Sequence, residues 1–408
     1  MKRDTCIIVD PDSTGLHLAP ALQKLGVLTV AGVSSNAPPL DLGSYDQLVD
    51  VGDGSCWPEA LDPNRILRVV AGSDLGGPPA DRLADSAGLS RKNDLTLTLA
   101  RRDKWVMGEV LRNAGIPCAR QALLVDMPSV ERWITINPNL SVVLKPRKGI
   151  ASDQVHLCHS DTEIRTAADA LLGSKDFFGN DNTTLLVQEF LPGLEFMIDT
   201  VSLDGAHYVV GIWQSCRRRT GTVLPLYVDA VNPTSPTAQQ VISYCHDVLD
   251  TLGVSNGPAH TEIMLVPNRG PVLIEMNARF HGSMDLDFAC CVFGTDQVME
   301  TAQSIATQDW NGPKQVLQLK GFGRKIYLHS PVSGTANHVP DYSALEQLSS
   351  FHSIRNRILP KKEVRETVSL STSPATLFLA SDNEEEIIAD TQKVRQLEVA
   401  IFNNIVME

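Results

Sequence analysis

The chain reads as a mixed α/β and α+β protein of two to three compact units, and three observations point there. Its 408 residues are too many for one hydrophobic core. It opens with a strand–helix–strand pattern, as an open α/β domain does. Its middle and end are rich in short apolar strands with scattered helices.

The opening runs as "CIIVD", a strand, then "PDSTG", a polar turn, then "LHLAPALQKLG", a helix with Gly26 just past its end, and "VLTVAGV", a second strand. The turn has no GxGxxG, which weighs against a dinucleotide site. Ser13, Thr14 and Gly15 either offer hydroxyls and backbone N–H groups to an anion or simply cap the helix and form the turn. The Gly- and Pro-rich "GSDLGGPPADRLADSAGLS" ends this unit near residue 98. "RRDKWVMGEVLRNAGIPCAR" follows as a helix with Trp105, Val106, Val110 and Leu111 on its apolar face, closed by Gly115 and Pro117. "SVVLKPRKGIASDQVHLC" reads as strand, loop and strand, and "TTLLVQEFLPGLEFMIDTVSLDG" as two strands around a Leu-Pro-Gly corner. "LFLASDNEEEIIADTQKVRQLEVAIF" closes the chain with a strand and an amphipathic helix.

With 43% hydrophobic and 20% charged residues the composition is that of an ordinary globular protein. A net charge of −13 argues against nucleic acid or an anionic membrane as a general partner. The first apolar run, Cys6 to Val9, is too short for a signal-peptide core, and no stretch approaches the roughly 18 apolar residues that span a bilayer. A cytoplasmic location is expected. The eight cysteines show no CxxC pairs and no Cys/His ligand spacing, so they read as reduced, packing thiols.

Chemistry is concentrated in "HTEIMLVPNRGPVLIEMNARFHGSMD". Glu275, Asn277 and Arg279 alternate along a strand and so share a face. Pro267 to Gly270 is a turn by composition; a hairpin centred between Asn268 and Arg269 sets Glu262 opposite Glu275 and His260 opposite Asn277. Opposed residues have Cβ atoms about 4.5–5.5 Å apart, where like charges repel. Mg²⁺ would offset that repulsion, since it takes oxygen ligands and commonly bridges carboxylates to phosphates; the other reading is an ion pair of either glutamate with Arg279. Lys145 ends an apolar strand, where a charge is costly unless paired, whereas Lys104 taken alone reads as a surface lysine.

These segments resemble the ATP-grasp carboxylate–amine ligases, and within them the L-amino-acid ligases that make dipeptides. The similarity covers most of the chain and rests on five motifs in order: "VDPDSTGLHLAPALQKLG", "RRDKWVMGEVLRNAGIP", "VLKPRKGIAS", "VQEFLPGLEFMIDT" and "HTEIMLVPNRGPVLIEMNARFHGS". The resemblance implies an ATP-grasp fold: an N-terminal open α/β domain over 1–98, a core over 99–320 with a mobile lid at about 122–195, and a C-terminal α+β portion over 321–408. It implies ATP and Mg²⁺, two ions or Mn²⁺ in their place, as cofactors. By resemblance Lys104 and Lys145 contact phosphates, and Ser152 lies in the loop Lys148 to Asp153 that folds over them. Glu189 and Leu191 read the adenine edge and Glu195 the ribose; Glu262, Glu275 and Asn277 hold metal; Arg279, with Lys145, is catalytic. The acid pocket falls on the turn with His281, Gly282 and Ser283, where the small serine leaves room for a larger acyl donor or is an ordinary turn residue.

His281 reads either as a carboxylate-steering group or base, or as a hydrogen-bonded loop histidine. Arg217, Arg218 and Arg219 read as a carboxylate grip or a solvated basic loop, and Arg324 as a further anion ligand ranked below Arg279. The implied activity is ATP-dependent amide formation through an acyl phosphate, releasing ADP and phosphate. Small-molecule carboxylate and amine substrates are the expected partners, with a homodimer as one possible assembly. Two other readings stand beside it: a ligase for a carboxylate that is not an amino acid, and a nucleotide-binding module without turnover. The complete set of Glu262, Glu275, Asn277, Arg279 and both lysines argues against the second.

Overall fold

The computed structural model describes residues 4–35, 44–147, 149, 154–175, 179–220, 222–310, 317–403 and 405. It divides into two compact units: Met1–Cys118, Phe196–Ile212 and Asn232–Gln318 make the first, and Ala119–Glu195, Trp213–Val231 and Leu319–Glu408 the second. Among the described residues no helix is long and apolar enough to cross a membrane.

In the first unit a four-stranded parallel sheet runs in the order Gln47–Gly52, Leu28–Ser34, Thr5–Val9, Ile66–Ala71. Thr5–Val9 is buried at every position, as a parallel strand covered on both faces must be. Cys6 and Ile8 pack with Leu18 and Leu22 of helix Leu18–Lys24 and Ala302 of helix Gln297–Thr307. On the opposite face Ile7 and Val9 pack with Ala80 and Leu83 of helix Gly77–Ser86. That second helix lies inside the stretch whose composition suggested only a boundary. Its prolines, Pro78 and Pro79, fall in the first helical turn, where a missing N–H leaves no bond unmade. Gly15 and Gly72 let the first strand's turn approach the sheet, since a Cβ on Gly15 would sit 2.1 Å from the Gly72 carbonyl oxygen.

Helix Lys104–Asn113 buries Lys104, Met107, Gly108 and Leu111. The expected face of Trp105, Val106 and Val110 is only half-buried, because the i, i+3, i+4, i+7 stripe begins at the lysine. Strands Gly257–Val266 and Gly270–Asn277 form the expected antiparallel hairpin, and Leu194–Leu203 lies beside the first of them. The turn is tighter than expected: Val266 pairs with Gly270, so it centres on Asn268, which takes a positive φ of 60°. A bulge at Ile274 adds one residue, after which Glu262 faces Glu275 and His260 faces Asn277.

The second unit holds a four-stranded antiparallel sheet in the order Gln121–Leu124, Leu185–Glu189, Val142–Pro146, His156–Cys158. Helices Met127–Ile136 and Asp161–Leu171 cover it, with Val130, Ile134 and Ile164 meeting Leu144 and Leu185 in a core. A further antiparallel run orders Thr222–Ala230, Phe322–Tyr327, Ala375–Ser381 and Phe351–Asn356, with helix Glu384–Asn403 packed on it through Ile387, Val394 and Phe402. Arg217 to Arg219, read as a loop, belong to strand Ala206–Thr220, which pairs with Thr222–Ala230.

Candidate functional site

In the first unit the bulged hairpin presents Glu262 and Glu275 from neighbouring strands at directly opposed positions. Both side chains are partly open to solvent, at 25% and 17%. Lys104 Nζ donates to Glu275 Oε1 at 2.9 Å. The lysine is buried at the first position of its helix, where the helix dipole is also positive. That placement opposes stability unless a carboxylate or another anion answers it, which Glu275 does.

Arg279 follows Asn277 on the continuing chain. Its Nε donates to Asp74 Oδ2 at 3.0 Å and its Nη1 to the Phe280 carbonyl at 2.6 Å, which fixes the guanidinium plane. Burial pushes the Asp74 carboxyl up, but Arg279, Arg102 and Lys104 together hold it below the usual carboxylate range. Burial likewise opposes charge on Arg279, and Asp74, Glu275 and Glu262 outweigh it. A cleft beside this pair is lined by Ser73, Asp74, Arg102, Asn277 and Arg279. Asp74 was not singled out from the sequence; no local pattern marks it, and its partner lies 205 positions away.

Behind Glu262 lies a buried polar group. Asp199 Oδ1 accepts from His260 Nδ1 at 2.8 Å and Asp199 Oδ2 from His281 Nδ1 at 2.9 Å. His260 Nε2 stands 3.5 Å from Glu262 Oε1. Burial works against a charged His260, yet its bonds to Asp199 and Glu262 raise it to about 9. Asp199 was also missed, although an aspartate inside the apolar run "FMIDTV" carries the same signal that marked Lys145.

The turn after Arg279 rests on the first βα turn. Ser283 N donates to Ser13 Oγ at 2.8 Å and Met284 N to Thr14 Oγ1 at 3.2 Å. The two hydroxyls therefore serve as backbone anchors, and Ser283 takes a positive φ of 54°. His281 is buried and Gly282 is exposed.

In the second unit Lys145 is buried in strand Val142–Pro146, paired with Leu186. Glu189 turns its carboxylate to Arg120, accepting from the backbone N at 2.8 Å and from Nε at 3.0 Å. Leu191 is buried, and Glu195 pairs with Arg217 at 2.6 Å. Arg324 forms a fork on Asp229, at 2.5 and 2.8 Å, and lies over the Tyr227 ring. Ser152 and Lys148 lie outside the described residues.

Two opposed carboxylates and an amide beside a buried lysine suit a hard divalent cation with oxygen ligands, so the donor set fits Mg²⁺. A family model for the ATP-grasp domain matches residues 138–287. Over that segment the chain is similar to the ATP-grasp domain. Dapdiamide A synthase of Enterobacter agglomerans is 28% identical to it over 98% of this chain and 97% of that protein. Among solved structures, an L-amino acid ligase from Bacillus licheniformis has a TM-score of 0.74 at 16% identity, covering 97% of this chain and 98% of the other. Carboxyaminoimidazole ribonucleotide synthase from Aspergillus clavatus, solved with ATP, has a TM-score of 0.70 at 14% identity, covering 98% and 99%.

Proposed function

We propose that the protein is an ATP-dependent ligase that forms an amide bond between an amino acid or related carboxylate and the amine of an amino acid, releasing ADP and phosphate. The observation that carries this reading is the facing of Glu262 and Glu275 across the hairpin, with Lys104 at 2.9 Å from Glu275. A synthase relative that aligns over nearly the whole of both chains supports it.

Glu262, Glu275 and Asn277 would hold Mg²⁺, with two ions in the full reading and Mn²⁺ as a substitute. When bound, the metal neutralises charge on the phosphate oxygens. Lys104 divides its charge between Glu275 and the phosphates. Within the second unit, Lys145 is assigned to phosphate contact and Glu189, Leu191 and Glu195 to adenosine; the burial of Lys145 and Glu195 supports this.

The substrate carboxylate oxygen attacks the γ-phosphorus in line, the bond to the bridging oxygen breaks, and ADP leaves. Arg279 has five N–H donors, of which Nε and Nη1 fix it in place. Its other donors stabilise the transferred phosphoryl group and then the oxyanion formed when the amine attacks the acyl carbonyl. The carbon–oxygen bond to phosphate breaks, the amine loses its proton, and the amide remains. His281, Gly282 and Ser283 are assigned to the acid side in the first unit; in the second unit Arg324 is assigned to carboxylate binding. The unpaired state of all the cysteines supports a reducing, cytoplasmic setting. A homodimer is one assembly this reading allows, which light scattering would test.

The deciding assay is phosphate release from ATP and Mg²⁺ with pairs of amino acids, with products read by mass spectrometry. Release that needs both members, with a product lighter by one water than their sum, is the expected result. Release with only a non-amino-acid carboxylate would redirect the substrate assignment, and no release with any acid would remove catalysis.

A further inference from the structure

We propose that Asp199 is a positioning residue for the metal ligand Glu262, acting through His260. The inference rests on the reading of Glu262 as a ligand. Asp199 lies in strand Leu194–Leu203, beside the hairpin strand that carries both His260 and Glu262. His260 and Glu262 are two residues apart on one strand and therefore share a face. The carboxylate takes the Nδ1 of His260 at 2.8 Å, which turns the opposite edge of that ring outward, and Nε2 stands 3.5 Å from Glu262 Oε1. The other oxygen of Asp199 takes the Nδ1 of His281 at 2.9 Å, and the two rings lie with centroids 4.2 Å apart. His281 thus braces the same carboxylate from the far side.

A purely structural tie between these segments does not need a charge, and the fold already contains one without it. Gln297 Oε1 accepts from His281 N at 2.9 Å, while its Nε2 donates to the carbonyls of Thr200 and Ala259, both at 3.0 Å. Thr200 and Ala259 are the immediate neighbours of Asp199 and His260, so a neutral amide joins the very segments the carboxylate joins. Burying a carboxylate is costly where an amide suffices. What the carboxylate adds is a fixed ring orientation for His260 and hence a fixed setting of Glu262, as outer partners do for ligands in metal sites generally. Removal of such partners typically weakens metal affinity about 10–100-fold.

The test is binding of Mn²⁺ with ADP, read by electron paramagnetic resonance on the full chain, beside the thermal midpoint of each variant. His260→Asn keeps a donor where Nδ1 stood and loses the reach of Nε2. It is expected to stay folded while Mn²⁺·ADP binding weakens about 10–100-fold. Asp199→Asn is expected to weaken binding similarly, and the double variant to bind no worse than the weaker single one, because the two act in series. Glu262→Gln is the reference. If it binds Mn²⁺·ADP like the wild type, the ligand assignment falls and this inference with it. If Glu262→Gln loses binding while folded His260→Asn keeps wild-type affinity, the positioning role alone is overturned. Should His260→Asn fail to fold, Asp199→Asn decides on the same two outcomes.

Discussion

Exchanging Glu275 for glutamine keeps the side-chain volume and removes the charge that answers both Lys104 and the proposed cation. Glu275→Gln is expected to reduce ADP formation to background while far-UV circular dichroism stays that of the wild type. The buried lysine then loses a charged acceptor, so the unfolding free energy should fall by about 1–3 kcal/mol in urea titration. Full activity in this variant would remove Glu275 from the site. At the same scale, Glu262, Glu275, Asn277 and Arg279 could be picked out from the sequence because strand alternation and turn chemistry are local properties. Asp74 could not, since nothing within a few residues of it indicates a guanidinium partner 205 positions away.

Elements place these residues through close approaches that tolerate little change. A methyl group on Gly15 would meet the Gly72 carbonyl oxygen at 2.1 Å, backbone against backbone, with no flexible side chain to yield. Gly15→Ala is expected to lower stability by about 3 kcal/mol or more, seen as a shifted urea midpoint. It should also disturb the turn on which Ser283 and Met284 rest. A second element-level effect belongs to His329, which follows strand Phe322–Tyr327 in the second unit. Burial pushes it down to about 4; its bond to the Pro225 carbonyl opposes this and Arg395 and Arg218 add to it. Its unfolded value is about 6.5. The unfolded chain therefore takes up a proton before the folded one does, so this group's contribution is complete above about pH 6.5 and is lost as pH falls toward 4. The wild-type urea midpoint should drop between pH 7 and pH 5 by more than that of His329→Gln; equal drops would remove His329 as the cause.

For the whole molecule the proposed ligands act by mass action. A ligand bound only by the folded chain stabilises it by about 2.7 kcal/mol at a hundredfold excess over its dissociation constant. ATP with Mg²⁺ is therefore expected to raise the thermal midpoint, and ATP with EDTA to raise it far less, because Glu262 and Glu275 would then oppose the triphosphate. Readdition of Mg²⁺ should restore the shift. An equal shift with EDTA would show that nucleotide binding does not pass through the hairpin. The net charge of −13 points the same way, since binding a polyanion to this chain calls for local cations and metal.

Local pattern by itself determined the open α/β start, the hairpin, the Leu-Pro-Gly corner and the closing helix, whereas Glu262 faces Glu275 only because the bulge offsets the tighter turn. Each rests on interactions within a few residues, where periodicity and turn propensity are legible. Tertiary structure alone decided the bulge at Ile274, the pairing of Lys104 with Glu275, the hydrogen bond from Arg279 Nε to Asp74 and the bridging of two histidines by Asp199. It also decided that Ser13 and Thr14 anchor the Ser283 turn. Such contacts join positions 61 to 270 residues apart, so their partners are chosen by how the whole chain packs and by where buried charge must be answered.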